Sequence, residues 1–168
     1  MTLELMFDAE EDVTCALGEK DVRDVCELVL MQEGVERDCS VSVSVVGDDR
    51  IHELNLEWRD VDAPTDVISL ECDRPDDPTL PPGVPCELGD IVLAPAYIAR
   101  QAERVGTTER AETTLLLIHG MLHLLGYDHL EDDEAAIMEA REDELLAMAL
   151  PNEVPGHVRL TRHGGDEL

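Results

Sequence analysis

The stretch His119-Gly-Met-Leu-His123-Leu-Leu-Gly126-Tyr-Asp-His129 decides how the chain is read, because three imidazoles recur in it at offsets 0, 4 and 10. The residues before it, Thr108 to Ile118, predict a helix: a threonine cap opens it, Glu109 and Glu112 lie near its positive end, and it becomes apolar as it proceeds. His119 and His123 then share one face, and both rings can address one ion at zinc–nitrogen distances of about 2.0–2.1 Å. Gly126 stands where the helix should stop, since glycine enters the left-handed conformation without steric penalty. The turn that follows would return His129 to the same point. Burying three imidazoles beside Leu116, Leu117, Leu122 and Leu124 would strand polar nitrogens, whereas a shared cation satisfies one nitrogen of each ring. The expectation is a metal site held by His119, His123 and His129, with one Zn2+ ion per chain. Nickel and other imidazole-binding ions fit the same donors.

The spacing H-x-x-x-H-x-x-G-x-x-H is also that of the metzincin proteases, whose second position is a glutamate acting as general base. Here that position is Gly120, so the ligand spacing is kept and the protease's proton acceptor is missing. The full run H-G-M-L-H-L-L-G-Y-D-H resembles the metal motif H-G-x-L-H-L-x-G-Y-D-H of the YbeY family, bacterial endoribonucleases of ribosomal RNA maturation, and fills every fixed position of it. A second block, Arg59 followed by Pro64-Thr-Asp-Val-Ile-Ser-Leu70, resembles the family's arginine and P-T-[DN]-V-L-S-F run, with Ile68 and Leu70 as changes of apolar shape. Leu88-Gly-Asp-Ile-Val-Leu93 resembles its G-D-I-x-[IL] block. The resemblance runs in blocks from about Leu3 to Met148.

Composition bounds the reading. At 168 residues the chain suits one domain, expected over 1–150, with a loosely attached or disordered tail over 151–168 in which His157 and His163 are weak ligand candidates. The five cysteines are odd in number and include no C-x-x-C pair, so they read as reduced thiols. No apolar run approaches bilayer length and the first residues, MTLELMFDAEEDV, are neither basic nor cleavable in character, so the expected location is the cytoplasm, without a membrane. A net charge of −28 argues against a general nucleic-acid binder and against DNA as a partner. A cleft can still be positive locally. With Lys20 as the single lysine, it must be lined by arginines and by the ion itself.

Elsewhere the patterns are regular. Strands are expected at 3–7, 40–47, 67–70 and 88–93, and helices at 19–33, from Asp48 or Asp49 as cap to Trp58, from Pro95 to Gly106, and over 131–149. The proline- and aspartate-rich residues 73–87 form a surface loop, and the strands on its two sides should pair antiparallel. The fold class expected is α+β, a mixed α/β sandwich: a mixed sheet of about four strands packed with helices, the metal helix central.

Three neutral histidines leave a fourth position open, as catalytic zinc sites do, and water there is acidified toward neutrality. Arg59 would bind and stabilise a phosphate, unless it merely pairs with Asp60 or Asp62. Asp128, beside a ligand, would orient an imidazole. Asp90 would position the site or cap a turn, and Arg100 and Arg104 would pair with acids or add charge for RNA. The resemblance implies catalysis at His119 and Arg59, with Arg59 also binding RNA. It further implies a single-strand-specific endoribonuclease acting on a precursor of small-subunit (16S) ribosomal RNA and in ribosome quality control, with a small-subunit ribosomal protein and an assembly GTPase as partners. Two rivals stand beside it: a zinc peptidase using a glutamate from elsewhere, and a ribosome-assembly factor with a structural zinc.

Overall fold

A computed structural model describes residues 1–152. The strands are β1 (Leu3–Ala9), β2 (Cys39–Val45), β3 (Val67–Glu71) and β4 (Cys86–Leu93); the helices are α1 (Glu19–Gln32), α2 (Asp48–Arg59), α3 (Pro95–Val105), α4 (Glu109–Leu124) and α5 (Asp132–Ala149). They form one four-stranded sheet in the order β1-β2-β4-β3. β1, β2 and β4 run parallel, and β3 pairs antiparallel with β4. The mixed sheet, the antiparallel pair around the proline loop and the central place of the histidine-bearing helix are all as the sequence predicts.

The pattern of each strand gives the reason. In β2, Cys39, Val41, Val43 and Val45 are buried and the serines between them are half-buried, which puts the apolar set on one face. Leu5, Phe7, Ile91 and Leu93 join that face, and α1 and α4 cover it. The opposite face holds a smaller cluster, where Ile51 and Leu54 of α2 meet Val46, Ile68, Val92 and Ala94. α1 buries Val22, Val25, Cys26, Val29 and Leu30, the set its 3.6-residue period marks.

α4 is buried almost all round, the signature of a helix in the middle of a core. Its Thr108 cap forms, the hydroxyl accepting from the Ala111 N–H at 3.0 Å. Thr108→Ala is expected to cost about 1 kcal/mol, read as a lowered denaturant midpoint at unchanged slope. α4 also comes close to the sheet: a Cβ on Gly120 would lie 3.1 Å from Ile91 Cδ1. The position that holds the protease glutamate thus faces β4 here, and a long acid could not turn from it to the histidines.

Three expectations need correction. The N-cap of α2 is Gly47, with no side-chain cap bond; Asp48 and Asp49 lie in the first turn, where the helix dipole favours them. β4 begins at Cys86 rather than Leu88, because a bulge leaves Leu88 without a partner on β2 while Ser40 pairs Glu87 and Val41 pairs Gly89. Glu112 lies in the first turn of α4, as expected, and is fully buried there, its Oε1 accepting from Gln101 Nε2 at 2.9 Å. Asp90 lies exposed in mid-strand on the face opposite Ile91, away from the histidines, and caps nothing. Arg100 takes the acid-pairing role, 2.9 Å from Asp48. Pro151 and Asn152 form an exposed turn after α5; the rest of the expected tail, with His157 and His163, lies outside the described residues.

Candidate metal centre

The end of α4 shapes the site. Gly126 has φ +107°, its N–H bonds to the His123 carbonyl at 3.0 Å, and the Tyr127 N–H reaches back to the Leu122 carbonyl at 3.0 Å. This paired capping pattern closes the helix and reverses the chain. His129 is thereby brought to the rings of the last two turns of α4. The ring centroids lie 4.5 Å apart for His119 and His123, 5.6 Å for His119 and His129, and 5.0 Å for His123 and His129. One ligand atom from each falls within 4.8 Å of the others.

Partners on the far side of two rings fix which nitrogen is offered. His123 Nδ1 lies 3.0 Å from the Tyr127 carbonyl, which can only accept, so Nδ1 carries the proton. Burial, and then the neighbouring His129, push the pKa of His123 below the ordinary histidine value, which keeps the ring neutral. His119 Nδ1 lies 2.5 Å from Glu142 Oε2, a fully buried carboxylate on α5, and donates to it. Both Nε2 atoms then present lone pairs, and they stand only 3.1 Å apart. Two lone pairs held at that distance repel unless a cation lies between them. Tetrahedral binding at about 2.05 Å sets neighbouring nitrogens about 3.3 Å apart, so the donor set fits a metal ion.

The histidines open into a cleft of about 270 Å³ that is also lined by Arg59, Val67, Ser69, Glu71 and Asp128. Arg59 ends α2 and lines this cleft; Asp62 is taken by His52 at 2.7 Å, and among the described residues no ion-pair partner of Arg59 is seen. Asp128 touches the site through the backbone: its Oδ1 accepts the His129 N–H at 2.7 Å. The carboxylate that meets an imidazole is therefore Glu142. Sequence reasoning did not single it out among the many acids of α5, although Met138, Glu142, Leu145 and Leu146 follow the i, i+4, i+7, i+8 spacing of a buried stripe. Ile137, one position before the buried Met138, is exposed.

The reading also missed a rim residue in the loop between β3 and β4. Arg74 pairs with Glu71 at 2.8 Å, and a Cβ on Gly126 would meet its Nη1 at 2.7 Å, so the loop lies against the histidine turn. Arg37 pins the loop from the other end, donating to the carbonyls of Val84 at 2.6 Å and Pro81 at 2.9 Å.

Two other places are less suited to this chemistry. A larger cleft of about 900 Å³ runs along α1, lined by Leu17, Val25, Met31, Val35, Arg110 and Leu150, and no histidine among the described residues lines it. Cys72, Asp73 and Glu87 also come together, but desolvation and the nearby carboxylates raise the Cys72 thiol, which opposes the thiolate a metal would need.

The fold and the cluster define a class: a mixed α/β protein with a three-imidazole centre, able to hold a metal, at the end of its central helix. The chain belongs to the YbeY family, since the family model described as Endoribonuclease YbeY matches residues 6–149. It is 38% identical over 154 residues to the Endoribonuclease YbeY of Corynebacterium glutamicum, covering 88% of this chain and 76% of that protein. The Lachnospira eligens protein of the same name is 35% identical over 164 residues, covering 87% of this chain and 96% of that one. The solution structure of TM1509 from Thermotoga maritima superposes with a TM-score of 0.60 at 26% identity, covering 88% of this chain and 89% of that one. Among the described residues no helix is long and apolar enough to cross a membrane.

Proposed function

We propose that the chain is a zinc-dependent endoribonuclease that cleaves single-stranded segments of a small-subunit (16S) ribosomal RNA precursor, in maturation and in ribosome quality control. The observation that carries the reading is the convergence of three imidazoles and one cation, Arg59, on a single cleft. His119, His123 and His129 are the residues that would hold the ion. Zinc held there supplies Lewis acidity and a nucleophile near neutral pH. Arg59 binds the scissile phosphate and stabilises the charge that grows on it, a local positive charge in a chain whose net charge of −28 otherwise repels RNA. Asp128 holds the His129 backbone and so the return of the chain to the site. A small-subunit ribosomal protein and an assembly GTPase are the proposed partners, and the cytoplasm the proposed location. The domain is proposed to span 1–150.

For the peptidase rival, two glutamates lie near the histidines, and Glu71, which lines the cleft, is paired with Arg74 at 2.8 Å. Glu142, the buried glutamate that touches a ligand, lies behind the His119 ring on the side away from Nε2. It cannot take a proton in the cleft.

The test compares cleavage of a 16S precursor by zinc-loaded wild type, chelator-stripped protein and Arg59→Glu. Wild type should cut; Arg59→Glu should lose about a hundredfold or more in rate while keeping its zinc. Cleavage of a peptide library with RNA left intact would hand the case to the peptidase. Equal residual cutting in all three samples would point to an assembly factor with a structural ion.

A further inference from the structure

Glu142 is the only acid of α5 that is fully buried; the others are exposed or half-buried. Its neighbours on that stripe are Met138, Leu145 and Leu146, all at 0–1% exposure. A leucine at 142 would extend the stripe at no desolvation cost, whereas a carboxylate taken out of water is expensive unless it is paired. The carboxylate is therefore explained by its partner. It accepts from His119 Nδ1 at 2.5 Å, which leaves Nε2 as the nitrogen that faces His123 Nε2 at 3.1 Å.

α5 also braces the second ring. Arg141, the preceding residue, donates from Nε to Glu33 Oε2 at 2.6 Å, and Glu33 Oε1 accepts the Tyr127 hydroxyl at 2.7 Å. Tyr127 is the residue whose carbonyl holds His123 Nδ1. Consecutive side chains of one helix thus lead to the back of both α4 imidazoles.

We infer that Glu142 is a positioning residue for the metal centre: it fixes the Nδ1–H form of His119, holds the ring in place and raises the basicity of Nε2. The inference rests on the metal reading above and goes beyond it by assigning the carboxylate that tunes the site. Carboxylates behind a ligating histidine typically account for 10–100-fold in metal affinity, by orienting the ring and strengthening it as a donor.

Glu142→Gln keeps the shape and removes the charge; Glu142→Asp keeps the charge and shortens the reach. Zinc affinity is measured on wild type and both variants by competition with a chelating dye, and the melting temperature of each metal-free protein is recorded. The tautomer of His119 in metal-free wild type is read from its ring nitrogens by NMR. The expected result is an Nδ1–H tautomer, a loss of about 10–100-fold in zinc affinity for Glu142→Gln, and partial recovery in Glu142→Asp. A neutral metal-free His119 with its proton on Nε2 and none on Nδ1 overturns the inference, whatever happens to zinc. So does a Glu142→Gln protein whose folded fraction binds zinc as wild type does while its melting temperature falls, since that is the mark of a purely structural role. Wild type that takes up no zinc is a different failure: it removes the metal reading itself, and this inference with it.

Discussion

His119→Ala is expected to do two things at once: remove stoichiometric zinc uptake with all RNA cleavage above background, and destabilise the metal-free protein by about 3–5 kcal/mol. The first effect follows from the loss of one of three ligands, which should exceed the roughly 10–100-fold cost of changing a group behind a ligand. The second follows from what the ring leaves behind. Glu142 is 0% exposed and would lose the imidazole N–H it accepts, leaving a carboxylate in an apolar stripe without the cationic or N–H partner that His119 supplies. His123→Ala should abolish zinc uptake equally but cost the metal-free fold much less, because His123 is only partly buried and its back partner is the Tyr127 carbonyl at 3.0 Å, a neutral acceptor. Urea titrations of the two metal-free variants, beside zinc stoichiometry, check the asymmetry. Equal midpoints would show that the Glu142 contact contributes little to the fold.

Gly89→Ala is expected to be the most damaging single methyl in the described chain, lowering stability by more than about 3 kcal/mol. Gly89 sits at φ +135° beside the bulge in β4, and a Cβ there would lie 2.0 Å from the Leu70 carbonyl oxygen and 3.2 Å from the Cys72 nitrogen. These are backbone atoms of the neighbouring strand, so no side chain can move aside. Relief requires β3 to part from β4, and β3 carries Val67, Ser69 and Glu71 into the histidine cleft. The variant should therefore show a lowered melting temperature and faster amide exchange across 67–71. A melting temperature within a degree or two of wild type would contradict it. Gly120→Ala, which meets side-chain atoms only, Ile91 Cδ1 at 3.1 Å and both its γ carbons at 3.3 Å, should be milder.

Much of this molecule was legible in the sequence because its patterns are local. The alternation of β2, the period of α1, the cap at Thr108 and the glycine stop at 126 each depend on near neighbours, and each is where the pattern put it. The three histidines converge for the same reason: two share a helix face and the third follows one turn. What escaped was set by packing between distant segments. Glu112 and Glu142 look like any other acid in a chain with 40 of them, and only the docking of α3 and α5 buries them. Arg74 lay in a loop without a pattern, and its place against Gly126 depends on how that loop folds back. The bulge at Leu88 arises from pairing with β2, more than forty residues earlier, so no window of sequence could contain it.

The reach of α5 has a consequence for how the protein is made. Synthesis delivers its parts out of step: Glu33 precedes the Arg141 that binds it by 108 residues, and all three histidines precede Glu142. A nascent chain arrested just beyond His129 would carry the imidazoles but neither the carboxylate behind His119 nor the arginine that anchors Glu33. The apolar side of α4 that α5 covers would also stand open. The centre therefore ripens on the clock of translation, when the last helix leaves the ribosome, and not when its histidines first emerge.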